Sequence, residues 1–265
     1  MQKIKVLHVV HDFLYGGIES YLYYLVQAQL LNPALEVAIL CCQAEDKVAN
    51  PRIKALALPI YYVPIKAFDL GIHKYRKVRE IASAYAVVQL HIFKPLLLEA
   101  LSGSGASMLF TVHTAGAVRR EQSLYGKLKV RLQVMQLNHR CHAVVNNSRY
   151  SQQYWKDKGL RESNNVVIYN GVRFSGPVDA SAVYAAYPAL KGKFVVGTSS
   201  RFIGWKRVDY LLRSFAKLHA LQPQALLLLV GDGPEMGRLQ QLKEELNLGD
   251  AVLFVGFQKE VTAFQ

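Results

Sequence analysis

Two cations, Arg201 and Lys206, stand in the stretch 194–218 between an apolar run and an amphipathic one. Phe194, Val195 and Val196 read as a buried strand that ends at Gly197, Thr198, Ser199 and Ser200. Val208, Leu211, Leu212, Phe215 and Leu218 then return at helical spacing, with Asp209 in the first turn, where the helix dipole favours a carboxylate. In an open α/β sheet such a loop lies in the ligand crevice, and cations beside a helix N-terminus neutralise a phosphate or diphosphate. Taken alone, the pair also reads as two solvated loop cations. Gly16 and Gly17 carry a related signal, because a glycine turn before a helix lets backbone approach an anion, although a plain tight turn has the same letters. No G-x-G-x-x-G is present.

The elements that must position these residues alternate between two periodicities. Apolar runs at 3–11, 36–42, 60–63, 86–92, 107–112, 142–146 and 166–169 read as strands. Stretches at 18–31, 72–85, 94–101, 122–138 and 149–158 read as helices. Such alternation implies α/β architecture with a parallel sheet covered on both faces. His113 closes the fifth strand, where by itself it reads as a ring bonding to backbone. Residues 173–191, with Gly176, Pro177 and Pro188 and followed by Gly192, have little strong periodicity and place a boundary near 174, giving domains 1–174 and 175–265. A second βα series then runs from Phe194 through strands at 225–230 and 251–255 and a helix at 235–246. Between them Gly231, Asp232, Gly233 and Pro234 read as a strand-to-helix turn.

The chain has 265 residues, of which 51% are hydrophobic, enough to bury a large core in one or two domains. No apolar run is long enough to span a bilayer and no signal-peptide pattern opens the sequence, so a cytoplasmic protein is expected. Cys41, Cys42 and Cys141 fit neither a disulfide framework nor a zinc site and read as reduced packing residues. A formal charge of +13 calls for an anionic partner. Residues 1–172 hold 21 Lys and Arg against 11 Asp and Glu, and the remainder 11 against 8, so the excess belongs to the first domain. On the helix at 122–138, Leu124, Leu128, Leu132, Val134 and Met135 fall largely on one face beside Lys127, Lys129 and Arg131, after Arg119 and Arg120. That pattern suits peripheral contact with an anionic membrane surface, or packing on the sheet. The basic residues are not interleaved with aromatics as in a nucleic-acid reader, so no specific nucleic acid is expected.

Five separated pieces together resemble glycosyltransferase family 4. They are Gly16-Gly17-Ile18-Glu19, Thr111-Val112-His113-Thr114, Val167-Ile168-Tyr169-Asn170-Gly171-Val172, the Arg201–Lys206 loop and Val230-Gly231-Asp232-Gly233-Pro234, in the family's order and at about its spacing. The resemblance implies the GT-B fold, two Rossmann-like domains with the nucleotide-sugar donor held mainly by the second and the acceptor mainly by the first. It implies that Arg201 and Lys206 grip the donor diphosphate, that Gly16 and Gly17 approach the phosphate, and that His113 points at the transferred sugar. Gly231 and Gly233 match a turn near the donor. The implied function is retaining transfer of a hexose from a nucleotide sugar to a glycan or lipid-linked acceptor in cell-envelope polysaccharide synthesis; the basic helix adds the expectation of a cytoplasmic protein peripheral on the inner face of the cell membrane. No cofactor or metal is expected, since D-x-D is absent and Asp, Glu and His are not spaced as a Mg²⁺ or Mn²⁺ site.

The sequence departs from the family pattern in two places. It ends before an E-x7-E motif whose acidic residues bind the donor sugar and ribose, so the second domain reads as incomplete and the chain as a C-terminally truncated member. Little transferase activity and a weakly folded second half follow as expectations, with Val252, Phe254 and Val255 short of partners. Arg207 occupies a position where the family often has glycine. The competing reading is a non-catalytic remnant that binds a nucleotide, an acceptor or a partner subunit.

Overall fold

The computed structural model describes residues 3–13, 16–47, 51–66, 69–113, 123–171, 178–259 and 261–264. The chain divides into two compact units, Met1–Arg173 and Phe174–Gln265. Thr114, Gly116, Arg119, Arg120, Val172 and the peptide around residue 174 lie outside the described residues.

In the first unit the strands are β1 (Ile4–Val10), β2 (Leu35–Cys41), β3 (Ile60–Tyr62), β4 (Val87–Leu90), β5 (Ser107–Val112), β6 (Ala143–Asn146) and β7 (Asn165–Val167). The intervening helices are α1 (Gly17–Leu30), α2 (Pro51–Lys54), α3 (Ile72–Ser83), α4 (Pro95–Ser102), α5 (Leu124–Arg140) and α6 (Arg149–Asp157). The sheet is parallel throughout, in the order β3-β2-β1-β4-β5-β6-β7. Strand order therefore reverses at β1, which pairs with β2 from Ile4 opposite Leu35 to Val10 opposite Cys41, and with β4 from Val6 opposite Val87. One face of the sheet carries Leu7, Val9, Val88, Leu90, Phe110 and Val144 into a core closed by α3 to α6, and the other packs Val10, Val37 and Ile39 against Leu22 and Val26 of α1. Serine caps start α5 and α6, where Ser123 accepts from Gly126 N at 3.0 Å and Ser148 from Ser151 N at 3.1 Å. The three cysteines are free and buried, and burial pushes the thiols up to about 11 for Cys41 and about 12 for Cys42 and Cys141, as inert packing groups require.

The second unit holds α7 (Ser181–Ala186), β8 (Phe194–Ser199), α8 (Val208–Leu221), β9 (Ala225–Val230), α9 (Met236–Glu245) and β10 (Val252–Gly256). Its parallel sheet has the order β10-β9-β8. All six residues of β9 are buried, which explains its unbroken apolar run: Leu227 and Leu229 face α8 and α9, while Leu226 and Leu228 face Val183 and Leu190.

Two expectations about this unit are corrected. Phe194 and Val195 are not buried: among the described residues β8 is an edge strand that pairs with β9 alone, and Phe194 is 59% exposed. Val252 and Val255 do not lack partners, because Val252 enters the core under α8 and α9 and Val255 is covered by Val183, Leu190 and the residues at 261–264. Phe254 packs against that first core and meets Phe202 edge to face at 6.1 Å. In the first unit the final strand is also shorter than its apolar letters, as Ile168 and Tyr169 lie beyond β7 and are exposed.

Leu229→Ala should cost about 2–5 kcal/mol, since it leaves a cavity in the centre of a fully buried strand. Val195→Ala, on the open side of β8, should cost below about 1 kcal/mol, as surface substitutions do. Urea unfolding of the two variants decides the point; equal losses would mean that the exposed side of β8 is a core.

Candidate functional site

In the first unit the point where strand order reverses lies between β1 and its neighbours, and ligands of open α/β sheets sit outside the carboxyl ends of strands at such a point. Three histidines gather there. His8 is in β1, His91 directly follows β4 and His113 directly follows β5. His8 and His91 are buried, and His113 is half-buried. A polar ring in a strand covered on both faces must be hydrogen-bonded. The partners here are the other rings: His8 Nδ1 lies 3.0 Å from His91 Nε2, and His91 Nδ1 lies 3.0 Å from His113 Nε2. The far end closes on α1, where Gln29 Oε1 is 2.7 Å from His8 Nε2. Tyr21, one turn into α1, sets its ring edge-on to His113 at 5.1 Å. Asn147 Nδ2 donates to the His113 carbonyl at 3.2 Å and holds the strand end.

Burial pushes His113 down to about 4, and His8 to about 4 despite its hydrogen bond to Gln29, which acts the other way. His91 is driven well below the usual histidine range by burial and by its two imidazole neighbours. All three are therefore neutral near pH 7. Gly16 and Gly17 open α1 with no side-chain cap from residue 16. A side chain at Gly17 would meet nothing within 4 Å, whereas one at Gly16 would meet the Glu19 carboxylate at 2.4 Å. Burial raises Glu19 above the usual carboxylate range, with Asp12 nearby acting in the same direction.

In the second unit the residues at 200–207 and the turn at 231–234 are locked to one another at the carboxyl ends of β8 and β9. Phe202 N donates to Asp232 O at 2.8 Å and Glu235 N to Phe202 O at 3.1 Å, with the Phe202 side chain fully buried. Glycine is required on the turn. A Cβ at Gly231, whose φ is +142°, would stand 1.9 Å from Ser200 O, and one at Gly233 would stand 2.3 Å from Phe202 O. Arg201 and Lys206 project from the loop so fixed, both exposed, and among the described residues neither makes an ion pair. Arg207 differs. It adopts φ 51° and ψ 39°, the left-handed region that suits glycine, and its guanidinium is taken up by both carboxylate oxygens of Asp209 at 3.1 Å and by the Tyr210 ring at 3.3 Å. The turn therefore survives the non-glycine residue. Ser200 Oγ is buried beside this loop with no hydrogen-bond partner among the described residues.

Of the residues singled out in the sequence, Arg201, Lys206, Gly231 and Gly233 come together in the second unit. In the first unit Gly16 and Gly17 open α1, whose Tyr21 meets His113. Sequence reasoning missed His8, His91, Gln29 and Tyr21. A usable signal was present in KVLHVVH, where a histidine interrupts a strand whose other letters demand burial on both faces.

Two glycosyltransferase family models match the chain, one over each unit. The family described as Glycosyltransferase Family 4 matches residues 15–175, and that described as Glycosyl transferases group 1 matches residues 180–264. N-acetyl-alpha-D-glucosaminyl L-malate synthase of Bacillus anthracis is 45% identical over 62 residues, 23% of this chain and 16% of that protein. A phosphatidylinositol N-acetylglucosaminyltransferase subunit of Arabidopsis thaliana is 24% identical over 269 residues, and the alignment covers 96% of this chain and 58% of the relative. Among solved structures, Anabaena Alr3699/HepE in complex with UDP and glucose matches with a TM-score of 0.76 at 22% identity, over 98% of this chain and 71% of that one. WaaG, a glycosyltransferase involved in lipopolysaccharide biosynthesis, matches with a TM-score of 0.69 at 14% identity, over 98% and 72%. These two structures show the fold, whose neighbours are GT-B glycosyltransferases. The chain spans less than two thirds of the length of these two curated relatives.

The histidine cluster makes stability depend on pH with a definite sign. Between about pH 6.5 and about pH 4 the unfolded chain takes up protons at these rings that the folded unit excludes, so stability falls as pH falls. Lowering the pH from about 7 to about 5 should cost roughly 2 kcal/mol for each of His8 and His113. Urea midpoints at the two pH values check it; a midpoint that holds or rises would mean that the rings charge inside the fold.

Proposed function

Because the chain belongs to Glycosyltransferase Family 4, we propose that it transfers a hexose from a nucleotide-sugar donor to a glycan or lipid-linked acceptor of cell-envelope polysaccharide synthesis. The second unit takes the donor and the first the acceptor. The observation that carries this reading is the pair Arg201 and Lys206, exposed cations free of protein carboxylates among the described residues, on a loop fixed by Gly231 and Gly233. The structures of Anabaena HepE with UDP and glucose and with UDP-glucose support a uridine diphosphate sugar as donor.

Cleavage of the sugar–phosphate bond leaves negative charge on the diphosphate, and preorganised cations stabilise that charge more in the transition state than in the ground state. Arg201 and Lys206 supply this stabilisation, and no metal is invoked. Gly17 leaves room for an anion to approach the start of α1. His113, neutral near pH 7, meets the transferred sugar as a hydrogen-bonding group rather than a charge. Arg207 is not assigned to the diphosphate because its guanidinium is already engaged by Asp209.

Arg201→Ala and Lys206→Ala should each weaken UDP binding by about 1.5–3 kcal/mol, the worth of a charge-assisted contact, which is roughly tenfold to a hundredfold in Kd. Calorimetric titration with UDP reads this directly. Unchanged affinity in both variants would sink the assignment, and tight UDP binding without sugar transfer would favour the competing reading of a nucleotide-binding module.

The acceptor side carries a second proposal, contact of α5 with an anionic membrane. Leu124, Leu128, Leu132 and Met135 form an exposed stripe on α5, Val134 and Leu137 face the core, and Lys127, Lys129 and Arg131 flank the stripe in solvent. No described helix is long and apolar enough to cross a membrane. An apolar stripe beside cations suits the interface of a membrane rather than its interior, with each cation contributing about 1 kcal/mol at an anionic surface. Vesicles of phosphatidylglycerol should sediment the protein at low salt and release it at high salt, and Leu128→Glu with Leu132→Glu should abolish sedimentation. Binding indifferent to salt, or unaltered by the double substitution, would overturn this contact.

A further inference from the structure

The chain Gln29, His8, His91, His113 has a direction, and that direction reaches the crevice. Each link between rings joins one nitrogen to another, at 3.0 Å in both cases, so one partner donates and the other accepts. A neutral imidazole carries a single N–H, so the tautomer of each ring dictates that of the next. Gln29 faces His8 with its carbonyl oxygen, which can only accept. His8 therefore carries its proton on Nε2 and accepts at Nδ1 from His91 Nε2–H. His91 in turn accepts at Nδ1 from His113 Nε2–H. The one nitrogen left over is His113 Nδ1, for which no partner exists among the described residues.

We propose that Gln29, acting through His8 and His91, is a positioning residue that fixes His113 as its Nε2–H tautomer and presents a bare Nδ1 lone pair at the carboxyl end of β5. The ligand group that suits this nitrogen is a hydroxyl, which donates to it; a group that only accepts, such as a phosphate oxygen, is repelled. The inference rests on the reading of this crevice as a sugar site and adds the polarity of its histidine. Burial keeps the rings unprotonated near neutral pH, so the single-N–H condition holds throughout the chain.

The same chemistry defines what the chain does not do. A proton accepted at His113 Nδ1 and passed inward would have to come to rest on the Gln29 amide oxygen, which is far too weak a base to hold it. The relay therefore sets orientation and does not carry protons away. Tyr21 flanks the outer end, with its ring centroid 6.1 Å from that of His91 and 5.1 Å from that of His113, and burial keeps its phenol neutral. The three rings are far apart in sequence, His8 and His91 by 83 positions and His91 and His113 by 22, so the sheet order brings them into line.

The test is a long-range proton–nitrogen correlation spectrum of the imidazoles in the full chain near neutral pH, with His113 assigned by its loss in His113→Ala. In the parent protein His113 Nδ1 should resonate as an unprotonated nitrogen and Nε2 as a protonated one. Gln29→Met removes the acceptor at nearly constant shape, and both His113 nitrogens should shift toward the average of the two tautomers. Gln29→Glu, a carboxylate that still only accepts, should keep the parent pattern. A protonated Nδ1 in the parent protein overturns the proposal by itself, whether or not any variant folds, and so does a folded Gln29→Met protein with an unchanged His113. Retention of the tautomer pattern together with failure to bind UDP-sugars would leave the relay standing and remove the sugar reading of the crevice.

Discussion

A polar group in a strand covered on both faces must find its partner inside the protein, and β1 imposes that condition on the first unit. Its neighbours Leu7 and Val9 face one core while Val10 faces the other, so His8 has no water to turn to. Each further ring in the series satisfies one before it, until a half-buried imidazole is reached at the end of β5. Satisfaction by another neutral ring, rather than by a carboxylate, keeps charge out of the core. On the proposed reading, His113 would meet a ligand as an oriented dipole whose partner on the inner side is already chosen.

In the second unit the backbone that bears two exposed cations is held without a carboxylate. Salt bridges would fix Arg201 and Lys206 but would also neutralise them. Instead the backbone between them is fixed, by hydrogen bonds from Phe202 and Glu235 and by the absence of side chains at Gly231 and Gly233. Arg207 shows the contrast within a single loop, since its charge is held by Asp209 and Tyr210. Its left-handed backbone adds a conformational cost that glycine would avoid, which is accepted here beside the start of α8.

The alternation of strands and helices was legible because parallel strands between helices must be apolar on both faces, and that requirement is written in consecutive letters. The same rule misled at β8. An apolar run such as Phe194 to Val196 looks alike in a central strand and at an edge, because composition records what a residue tolerates and not which strand pairs beside it. Arg201 and Lys206 were legible because their neighbours in sequence are also their neighbours in space. The histidine chain was not, since its contacts depend on the pairing of β1 with β4 and of β4 with β5. The glycines of the turn at 231–234 were visible as letters, but their reason, the approach of Ser200 and Phe202 carbonyls, belongs to the packed loop.

Net charge and site charge point to different parts of the molecule. The excess of Lys and Arg lies in residues 1–172, whereas the two cations proposed for the diphosphate lie in the nearly balanced remainder. A broad positive field attracts any anion at long range and is screened by salt within about 10 Å. It cannot tell a nucleotide from a lipid. Discrimination requires charges borne on a defined backbone: the loop at 200–207 is held to the turn at 231–234, whereas the cations along α5 line an exposed apolar stripe. On the proposed reading the two kinds of charge act in sequence, the diffuse one concentrating the protein at an anionic surface where a lipid-linked acceptor resides, and the fixed pair selecting the donor.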